Sequence, residues 1–201
     1  AILVWADELQ NFEMNNCAFQ NTIHCKKYGG GVIYIDDMVG GSASNARVDV
    51  YNFKLNNCTF NQNTANDDGG AIMNAGRLYN VHIKGCKFNG SYSDQIGNSD
   101  GKQYGAYGGA ICFKGDEGKI LIENTTFENC TSYTRGGAVC FIQGTYAKSG
   151  NYKRTNSVEF RGCTFKNCKS RSSHGGAIAV EKQLHTMKVY GCTFDGCKSA
   201  I

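Results

Sequence analysis

Two short blocks alternate along the entire chain, and this alternation limits the possible folds more than any other feature. The first block ends in phenylalanine and occurs six times, at residues 16–19, 57–60, 85–88, 124–127, 162–165 and 191–194. The second block begins with two glycines and occurs five times, at residues 30–33, 69–72, 108–111, 136–139 and 175–178. Internal similarity at a period of about 20–50 residues is typical of solenoids and other repeat arrays. The chain is therefore expected to stack one small unit on the next.

The spacing between the blocks indicates a coil of fixed path that carries insertions. The second glycine and the following phenylalanine are 18 residues apart in three coils and 28 or 29 apart in two. The phenylalanine and the next second glycine are 10 to 12 residues apart, except for one separation of 21. The extra residues are expected to form corner loops at 36–48, 91–107 and 143–156, and loops on a rigid scaffold commonly carry recognition. These loops are the predicted contacts for a glycan or a host or cell-surface ligand.

Side-chain alternation within each coil predicts strands that are separated by bends. Apolar residues lie seven and five positions before every block phenylalanine, as Val81 and Ile83 do before Phe88. This period of two is typical of a strand with one buried face. The third position before and the second position after each phenylalanine hold residues that tolerate positive φ, which predicts a bend at both. The predicted bend residues are Asn16, Asn57, Gly85, Asn124, Gly162 and Gly191 before the phenylalanine, and Asn21, Gln62, Gly90, Asn129, Asn167 and Gly196 after it.

Together these patterns predict an all-β fold, a right-handed parallel β-helix of about six to seven coils with insertions at its corners. Identical blocks stack in register when strands are parallel, so phenylalanine, cysteine and aliphatic side chains should each form a ladder at the strand spacing of ~4.8 Å. Frequent turn residues leave no stretch long enough for a helix. Residues 1–201 are predicted to form a single β-helix domain, as a segment or repeat unit of a longer chain or fibre.

The block sequences resemble a known repeat family. Gly-Gly-Ala-Ile alternates with Phe-x-x-Asn or Phe-x-x-Cys segments such as Phe127–Cys130 and Phe165–Cys168. This alternation resembles the repeats of polymorphic outer membrane proteins over nearly the whole chain. The resemblance implies a β-helical adhesin that is secreted or exposed on the cell surface. Such repeats specify a fold more strongly than a function.

Composition restricts the class of protein further. Charged residues make up 19% of the chain and the formal net charge is +4. The basic residues are scattered, whereas nucleic-acid-binding proteins concentrate them on one face. No apolar run reaches the ~20 residues that a membrane-spanning helix needs. Eleven cysteines favour a secretory route, so we expect an extracellular protein with no nucleic-acid partner and no transmembrane segment.

The cysteines fall into three columns when the coils are aligned. The columns are Cys17, Cys58, Cys86, Cys163 and Cys192; Cys130, Cys168 and Cys197; and Cys112 and Cys140. Neighbouring coils would place column members one strand spacing apart, which is within the Cα range of a disulfide. The candidate disulfides are Cys168–Cys197, Cys112–Cys140 and Cys163–Cys192. The alternative is a stack of buried thiols that act as small apolar residues, and no histidine accompanies the cysteines, so neither a metal site nor a cofactor is expected.

Four asparagines lie in Asn-x-Ser/Thr sequons, at Asn57, Asn89, Asn124 and Asn129. In a eukaryotic secretory route they would be N-glycosylation sites on the outer surface. The alternative is that asparagine-rich bends beside Cys-Thr create sequons without any modification.

Two other functions are known for β-helices. A pectate-lyase-like lyase or a glycoside hydrolase needs outward carboxylates on adjacent coils, whereas the acidic pairs at 36–37, 67–68 and 116–117 are predicted in loops or at corners. The four histidines are dispersed, at His24, His82, His174 and His185. An ice-binding face would need two regular threonine columns, and only one imperfect column is present, at Thr59, Thr126, Thr164 and Thr193. We therefore expect a structural or adhesive surface protein and not an enzyme.

The first and last coils are expected to be covered by more β-helix. Neither end of the sequence carries a polar cap, although open solenoid ends expose strand edges. Further coils of the same chain would cover these edges, and so would head-to-tail stacking of subunits into a filament.

Overall fold

The computed structural model describes residues 2–24, 30–35, 48–94, 105–143 and 154–200, and these residues form strands and no helix. Three sheets have six strands each and the fourth has five. Sheet A contains β1 (Ile2–Val4), β5 (Ile33–Ile35), β9 (Ile72–Asn74), β13 (Ile111–Phe113), β17 (Val139–Ile142) and β21 (Ile178–Glu181). Sheet B contains β2 (Glu8–Asn15), β6 (Asp49–Asn56), β10 (Arg77–Lys84), β14 (Asp116–Glu123), β18 (Arg154–Arg161) and β22 (Gln183–Tyr190).

The other two sheets are built from shorter strands. Sheet C contains β3 (Ala18–Gln20), β7 (Thr59–Asn61), β11 (Lys87–Asn89), β15 (Thr126–Glu128), β19 (Thr164–Lys166) and β23 (Thr193–Asp195). Sheet D contains β4 (Ile23–His24), β8 (Thr64–Ala65), β12 (Tyr92–Ser93), β16 (Thr131–Ser132) and β20 (Lys169–Ser170).

Every sheet is parallel, and each strand pairs with the equivalent strand of the next coil. Phe88, for example, is in register with Phe60 on one side and with Phe127 on the other. The chain therefore visits the four sheets in turn and completes about six coils of a right-handed parallel β-helix. The fold predicted from the two blocks is confirmed. The first strand follows the same register, since Ile2 pairs with Ile33.

Bends lie where the sequence predicted them. All twelve predicted bend residues have positive φ, between 48° for Asn124 and 62° for Gly85 and Gly90. Asparagine and glycine are the residues that enter this region most easily. In the glycine-pair blocks, the second glycine is required for lack of space, since a Cβ on Gly109 would lie 2.1 Å from the carbonyl oxygen of Gly137 on the next coil. The backbones of successive coils thus approach closely at this corner.

The interior contains the predicted phenylalanine ladder. Phe19, Phe60, Phe88, Phe127, Phe165 and Phe194 stack in chain order, with ring centroids 4.6–5.3 Å apart and ring planes within 15° of parallel. The four inner rings are fully buried, while Phe194 in the last coil is 50% exposed. Apolar columns of sheet B, such as the one that contains Phe53, Val81, Ile120 and Val158, complete the same core. The ladder and the aliphatic columns confirm the expected packing.

Two features of the sheets were not predicted. The strands of sheet B bend at Tyr79 and Asn80, so that Leu78 and Val81 both point inward although they are three residues apart. In sheet A, the outward column is buried as well as the inward one, except in the first coil, where Leu3 is 54% exposed. The buried members of that outward column are Tyr34, Met73, Cys112, Cys140 and Ala179.

The insertions leave the β-helix at the predicted corners. The insertions predicted at 36–48 and 143–156 both connect sheet A to sheet B, three coils or ~14 Å apart, although the last residues of the second, 154–156, belong to β18. The insertion predicted at 91–107 includes β12 of sheet D, and the residues after β12 connect sheet D to sheet A and therefore leave from a different corner. Most of each insertion, at 36–47, 95–104 and 144–153, lies outside the described residues.

Candidate functional site

The outward face of sheet B is the broadest regular surface that the described residues form. Its strands are eight residues long, whereas those of the other sheets have two to four. Outward positions on this face are mostly polar, in contrast to the buried outward column of sheet A. Because successive coils are in register, each outward position repeats along the axis every ~4.8 Å. This face is our candidate binding surface.

Aromatic side chains form one edge of the face. Tyr51 and Tyr79 stack with ring centroids 4.6 Å apart and planes 4° from parallel. The Arg77 guanidinium lies 5.9 Å from the Tyr79 ring centre and donates to Asp49 Oδ2 at 3.2 Å. In the next coil Gly118 follows the inward Glu117, so the tyrosine stack ends there. Flat aromatic faces with polar edges of this kind suit contact with sugars or polar side chains.

Amide side chains form a second row beside the tyrosines. Asn52 Nδ2 donates to Asn11 Oδ1 at 3.0 Å, and Asn80 Nδ2 donates to Asn52 Oδ1 at 3.4 Å. The side chains bond to one another from coil to coil, which fixes their orientation on the surface. The row presents preoriented hydrogen-bonding groups along the axis.

A groove of about 550 Å³ runs across the same face. Its polar lining includes Lys54, Asn80, His82, Lys119, Glu159 and Lys188. The floor is apolar, because Val81, Ile120 and Val158 of the core reach it between the outward residues. The groove therefore combines apolar area with a basic rim.

Acidic residues at the groove are already engaged. Glu123 accepts a hydrogen bond from His82 Nε2 at 2.9 Å and lies 3.5 Å from Lys84 Nζ, and these contacts hold the pKa of Glu123 below its usual value. Glu159 pairs with Arg161. Among the described residues, Lys54, Lys119 and Lys188 have no carboxylate within ion-pair distance.

The unpaired lysines are regularly placed. They belong to β6, β14 and β22, which are alternate coils, two strand spacings or ~9.6 Å apart along the axis. Lys54 and Lys188 share the outward column of His82, whereas Lys119 lies in the neighbouring asparagine column, in register with Asn80. The groove therefore has an excess of positive charge that is spread over two neighbouring columns, and this excess attracts an anionic ligand.

The cysteine columns lie where the alignment placed them. Cys58 and Cys86 are buried neighbours, and the Cys58 amide donates to Cys86 Sγ at 3.4 Å. Thiols at the bends donate to the preceding coil, as Cys163 Sγ does to the Ile122 carbonyl at 3.2 Å. Thr125 occupies the position of this column that has no cysteine, and its Oγ1 takes the place of the sulfur by accepting from the Cys86 amide at 3.3 Å. The columns thus serve both as apolar filling and as hydrogen-bond partners of the bends.

The predicted disulfide partners are adjacent in each case. Cys112 and Cys140 are register partners, the Cys163 amide donates to Cys192 Sγ at 3.4 Å, and Cys168 and Cys197 occupy successive coils. All ten described cysteines are free thiols in the structure, and the three pairings stay predictions. Burial raises the pKa of Cys86 to about 12 and that of Cys163 to about 11, which keeps both thiols protonated and weakly nucleophilic.

Cys112 and Cys140 differ from the other cysteines because they point outward from sheet A and are nevertheless fully buried. Beside them lies Asp68, whose carboxylate accepts from Lys114 Nζ at 2.7 Å and from the Tyr107 amide at 3.0 Å. Burial, and secondly the Asp68 charge, raise the pKa of the Cys112 thiol well above its usual value. The acidic pair at 67–68 is at a corner, as predicted.

The acidic pair at 116–117 is not at a corner, which corrects that prediction. Asp116 and Glu117 begin β14, and Glu117 points inward, where it is 2% exposed. Its carboxylate accepts from Asn74 Nδ2 at 2.8 Å, from Thr155 Oγ1 at 2.6 Å and from Lys182 Nζ. The sequence did carry a signal for this inward acid. Aligned on the block phenylalanine, Glu117 falls in the column of Leu9, Val50, Leu78, Thr155 and Leu184.

The other residues considered for catalysis are spread over the surface. His174 and His185 are exposed, His82 is partly buried against Glu123, and the side chain of His24 lies outside the described residues, as does the acidic pair at 36–37. The threonines of sheet C form the single outward column that was predicted. No group of three or more His, Cys, Asp and Glu that could hold a metal ion occurs among the residues that the structure describes.

The sequons lie on the outside of the bends. Asn57, Asn124 and Asn129 are exposed at positive φ, and Asn89 is partly buried. The Asn129 amide donates to Asn89 Oδ1 at 3.1 Å, and the Asn89 amide donates to Asn61 Oδ1 at 3.0 Å. N-glycosylation stays a prediction at all four positions, and a glycan on Asn89 or Asn129 would replace one of the two hydrogens of the Nδ2 atom that donates in these bonds.

The last coil exposes side chains that are interior elsewhere. Met187, Val189 and Phe194 are 39%, 43% and 50% exposed, whereas their register partners one coil earlier are buried. Leu3, Trp5 and Ile23 are exposed in the first coil. In the part of the chain described here, no helix long and apolar enough to cross a bilayer is formed.

Comparison with known proteins identifies one repeat. Residues 57–75, which contain one phenylalanine block and one glycine-pair block, match the repeat of the Chlamydia polymorphic membrane protein family. Neither a curated protein nor a solved structure is significantly similar to the chain. The match confirms the resemblance for this repeat. It indicates similarity to a family of surface-exposed outer membrane proteins.

Proposed function

We propose that this chain is a non-catalytic adhesive segment of a cell-surface β-helix protein and that it binds an anionic polysaccharide along the outward face of sheet B. The observation that carries the proposal is the set of three unpaired lysines, Lys54, Lys119 and Lys188, on alternate coils of the basic groove. The repeat match at residues 57–75 supports the surface location.

A polysaccharide suits this face because the polar groups of the face continue from coil to coil along the axis. Successive lysines advance by ~9.6 Å along the axis and alternate between two neighbouring columns, so an extended glycan with several acidic groups could contact all three. The groove floor and the tyrosine edge add apolar area for sugar rings, while the asparagine row adds hydrogen-bonding groups. Exposed ion pairs are individually weak, so affinity depends on several of them acting together and falls with salt.

The test is binding of the 201-residue chain to immobilised heparin, with neutral dextran as the comparison surface. The triple variant Lys54→Ala, Lys119→Ala, Lys188→Ala should bind at least about 10-fold more weakly, because it loses three charge contacts worth ~0.5 kcal/mol each. The matched control removes three exposed lysines of sheets C and D, Lys87, Lys169 and Lys198, and therefore the same net charge. An equal loss in both triple variants, or equal binding to dextran, would contradict a specific site on sheet B.

The insertions at 36–48, 91–107 and 143–156 are proposed as additional contact regions. They leave from two corners of the β-helix, and the first and third flank sheet B. Shortening each insertion to the length of an uninterrupted coil, with Lys54, Lys119 and Lys188 unchanged, should weaken binding if the loops contribute. Unchanged affinity in all three shortened chains would confine adhesion to the sheet.

We also propose that further β-helix covers the end coils, either as a continuation of the chain or as a second copy. Side chains that belong to the interior columns, such as Val189 and Phe194, are half-exposed in the last coil. Sedimentation velocity of the 201-residue chain should detect head-to-tail association that Val189→Lys with Phe194→Glu abolishes. A soluble monomer with both ends bare in solution would refute this.

A further inference from the structure

Polar residues replace apolar ones at two neighbouring positions of the interior. Glu117 occupies an inward column of sheet B that is otherwise mainly aliphatic, with Val50 and Leu78 in the two preceding coils. Asn74 occupies an inward column of sheet A that holds Ile35 in the preceding coil and Phe113 in the next. A buried ion pair is often no more stabilising than apolar residues of the same volume. This cluster therefore calls for an explanation other than packing.

The two polar positions meet a lysine from a distant coil. Lys182 lies between β21 and β22, and its side chain crosses two coils to donate to the Gly115 carbonyl at 2.9 Å and to contact Glu117 Oε2. Asn74 Nδ2 donates to the other carboxylate oxygen, Glu117 Oε1, at 2.8 Å. The Lys182 and Glu117 side chains are fully buried, and Asn74 is as well. An amine and a carboxamide thus end on the same buried carboxylate.

Two details indicate that the amide is accessible to the amine. Asn74 Oδ1 is buried and has no hydrogen-bond partner among the described residues, so no contact holds the amide group from that side. Residue 115 is glycine, and a Cβ there would lie 2.7 Å from Asn74 Nδ2. Gly115, whose carbonyl accepts from Lys182, therefore lies directly beside the Asn74 amide.

We propose that Lys182 and Asn74 form an intramolecular isopeptide bond, with Glu117 as the proton-transfer group. Transfer of a proton from Lys182 to Glu117 gives the free amine, and Nζ then attacks Cγ of Asn74. Glu117 passes this proton to Nδ2 and takes a second proton from Nζ as the tetrahedral intermediate collapses, so the Cγ–Nδ2 bond breaks, ammonia leaves and Glu117 ends protonated. One C–N bond forms and one breaks, and the reaction needs no oxidant or other reactant.

The surroundings suit this reaction over its competitor. Exclusion of water disfavours hydrolysis of Asn74 to aspartate, and it strengthens the contacts of Glu117 with both reacting groups. Thr155 Oγ1 donates to Glu117 Oε2 at 2.6 Å and so orients the carboxylate. The product would connect β9 to the corner before β22 and so tie coils that are three apart into one covalent unit. The inference does not depend on the proposed glycan binding.

Mass spectrometry of the intact, fully reduced 201-residue chain tests the proposal. The expected mass is lower than that of the sequence by one ammonia, and digestion should yield a branched peptide that joins Lys182 to Asn74. Lys182→Arg and Glu117→Gln should each restore the full mass, while the exposed control Lys188→Arg should keep the loss. The result on the unmodified sequence decides the matter even if a variant fails to fold.

Each alternative result has a defined meaning. The full sequence mass in the folded wild-type chain would overturn the proposal. Loss of one water, with a branched peptide joining Lys182 to Glu117, would also overturn the assignment of Asn74 as the acceptor.

Discussion

Replacing Phe127 by leucine isolates the contribution of ring stacking to this β-helix. Phe127 is fully buried, and its ring stacks on Phe88 at 5.0 Å and on Phe165 at 4.9 Å, with planes 6° and 4° from parallel. Leucine keeps most of the apolar burial but loses both ring pairs, each worth about 0.5–1.5 kcal/mol beyond area burial. Adding a small term for lost volume, we expect the free energy of unfolding to fall by about 2–4 kcal/mol.

Phe194→Leu is the matched control at the end of the same ladder. Phe194 has one stacked neighbour, Phe165 at 4.8 Å, and is 50% exposed. Its substitution should lower the free energy of unfolding by about 1 kcal/mol, since one pair is lost and little volume is vacated.

Urea titration followed by far-UV circular dichroism measures both variants against the parent chain. The midpoint should shift several times further for Phe127→Leu, at an unchanged slope, because the two variants expose similar surface on unfolding. Equal shifts at the two positions would refute the reasoning that each inner ring is stabilised by two neighbours. A smaller shift at Phe127 would refute it as well.

Three further outcomes follow from the geometry. Burial and the adjacent Asp68 carboxylate raise the pKa of Asp67 from the ordinary 3.8 to about 7, so the folded chain keeps a proton that the unfolded chain releases. The free energy of unfolding should therefore fall by about 1–3 kcal/mol between pH 4 and 7.5, and Asp67→Asn should flatten this slope in urea titrations. Gly109→Ala should prevent folding, since its Cβ would lie 2.1 Å from a backbone oxygen. The control Gly191→Ala has nothing within 4 Å of its Cβ, so it should lower the free energy of unfolding by only about 1 kcal/mol, measured by thermal unfolding. Similar losses of stability in the two variants would contradict this. Iodoacetamide should label the half-buried Cys17 at least about 10-fold faster than Cys86 in the native chain, by peptide mass spectrometry, and equal rates would show that burial does not protect the column.

The sequence predicted the coil because each structural rule is repeated six times. A single Asn-Cys-Thr-Phe segment would not distinguish a bend from an ordinary turn, but six aligned copies all have asparagine or glycine at the bend and phenylalanine at the inward position. The repetition also located the corners, since an insertion appears as an excess of residues between two fixed blocks. Positions that obey the repeat were therefore predictable.

Positions that depart from the repeat were not predicted. Glu117 and Asn74 each occur in one coil only, and their partner Lys182 is far away in sequence, so no local pattern connects them. The bend at Tyr79 and Asn80 was not predicted for a related reason, because these residues lie more than seven positions before Phe88, outside the regular alternation. The groove lysines were noted as scattered charge, and only the register of sheet B shows that they share one face.

Because parallel coils are stacked, the β-helix is short along its axis for the number of residues it contains. A full turn of at least 28 residues advances the axis by one strand spacing, ~4.8 Å, so the six coils of this chain reach only ~29 Å. An extended chain of the same number of residues would reach more than twenty times as far. Many residues are therefore needed for each increase in length along the axis, and what each added coil mainly supplies is one new row of outward side chains.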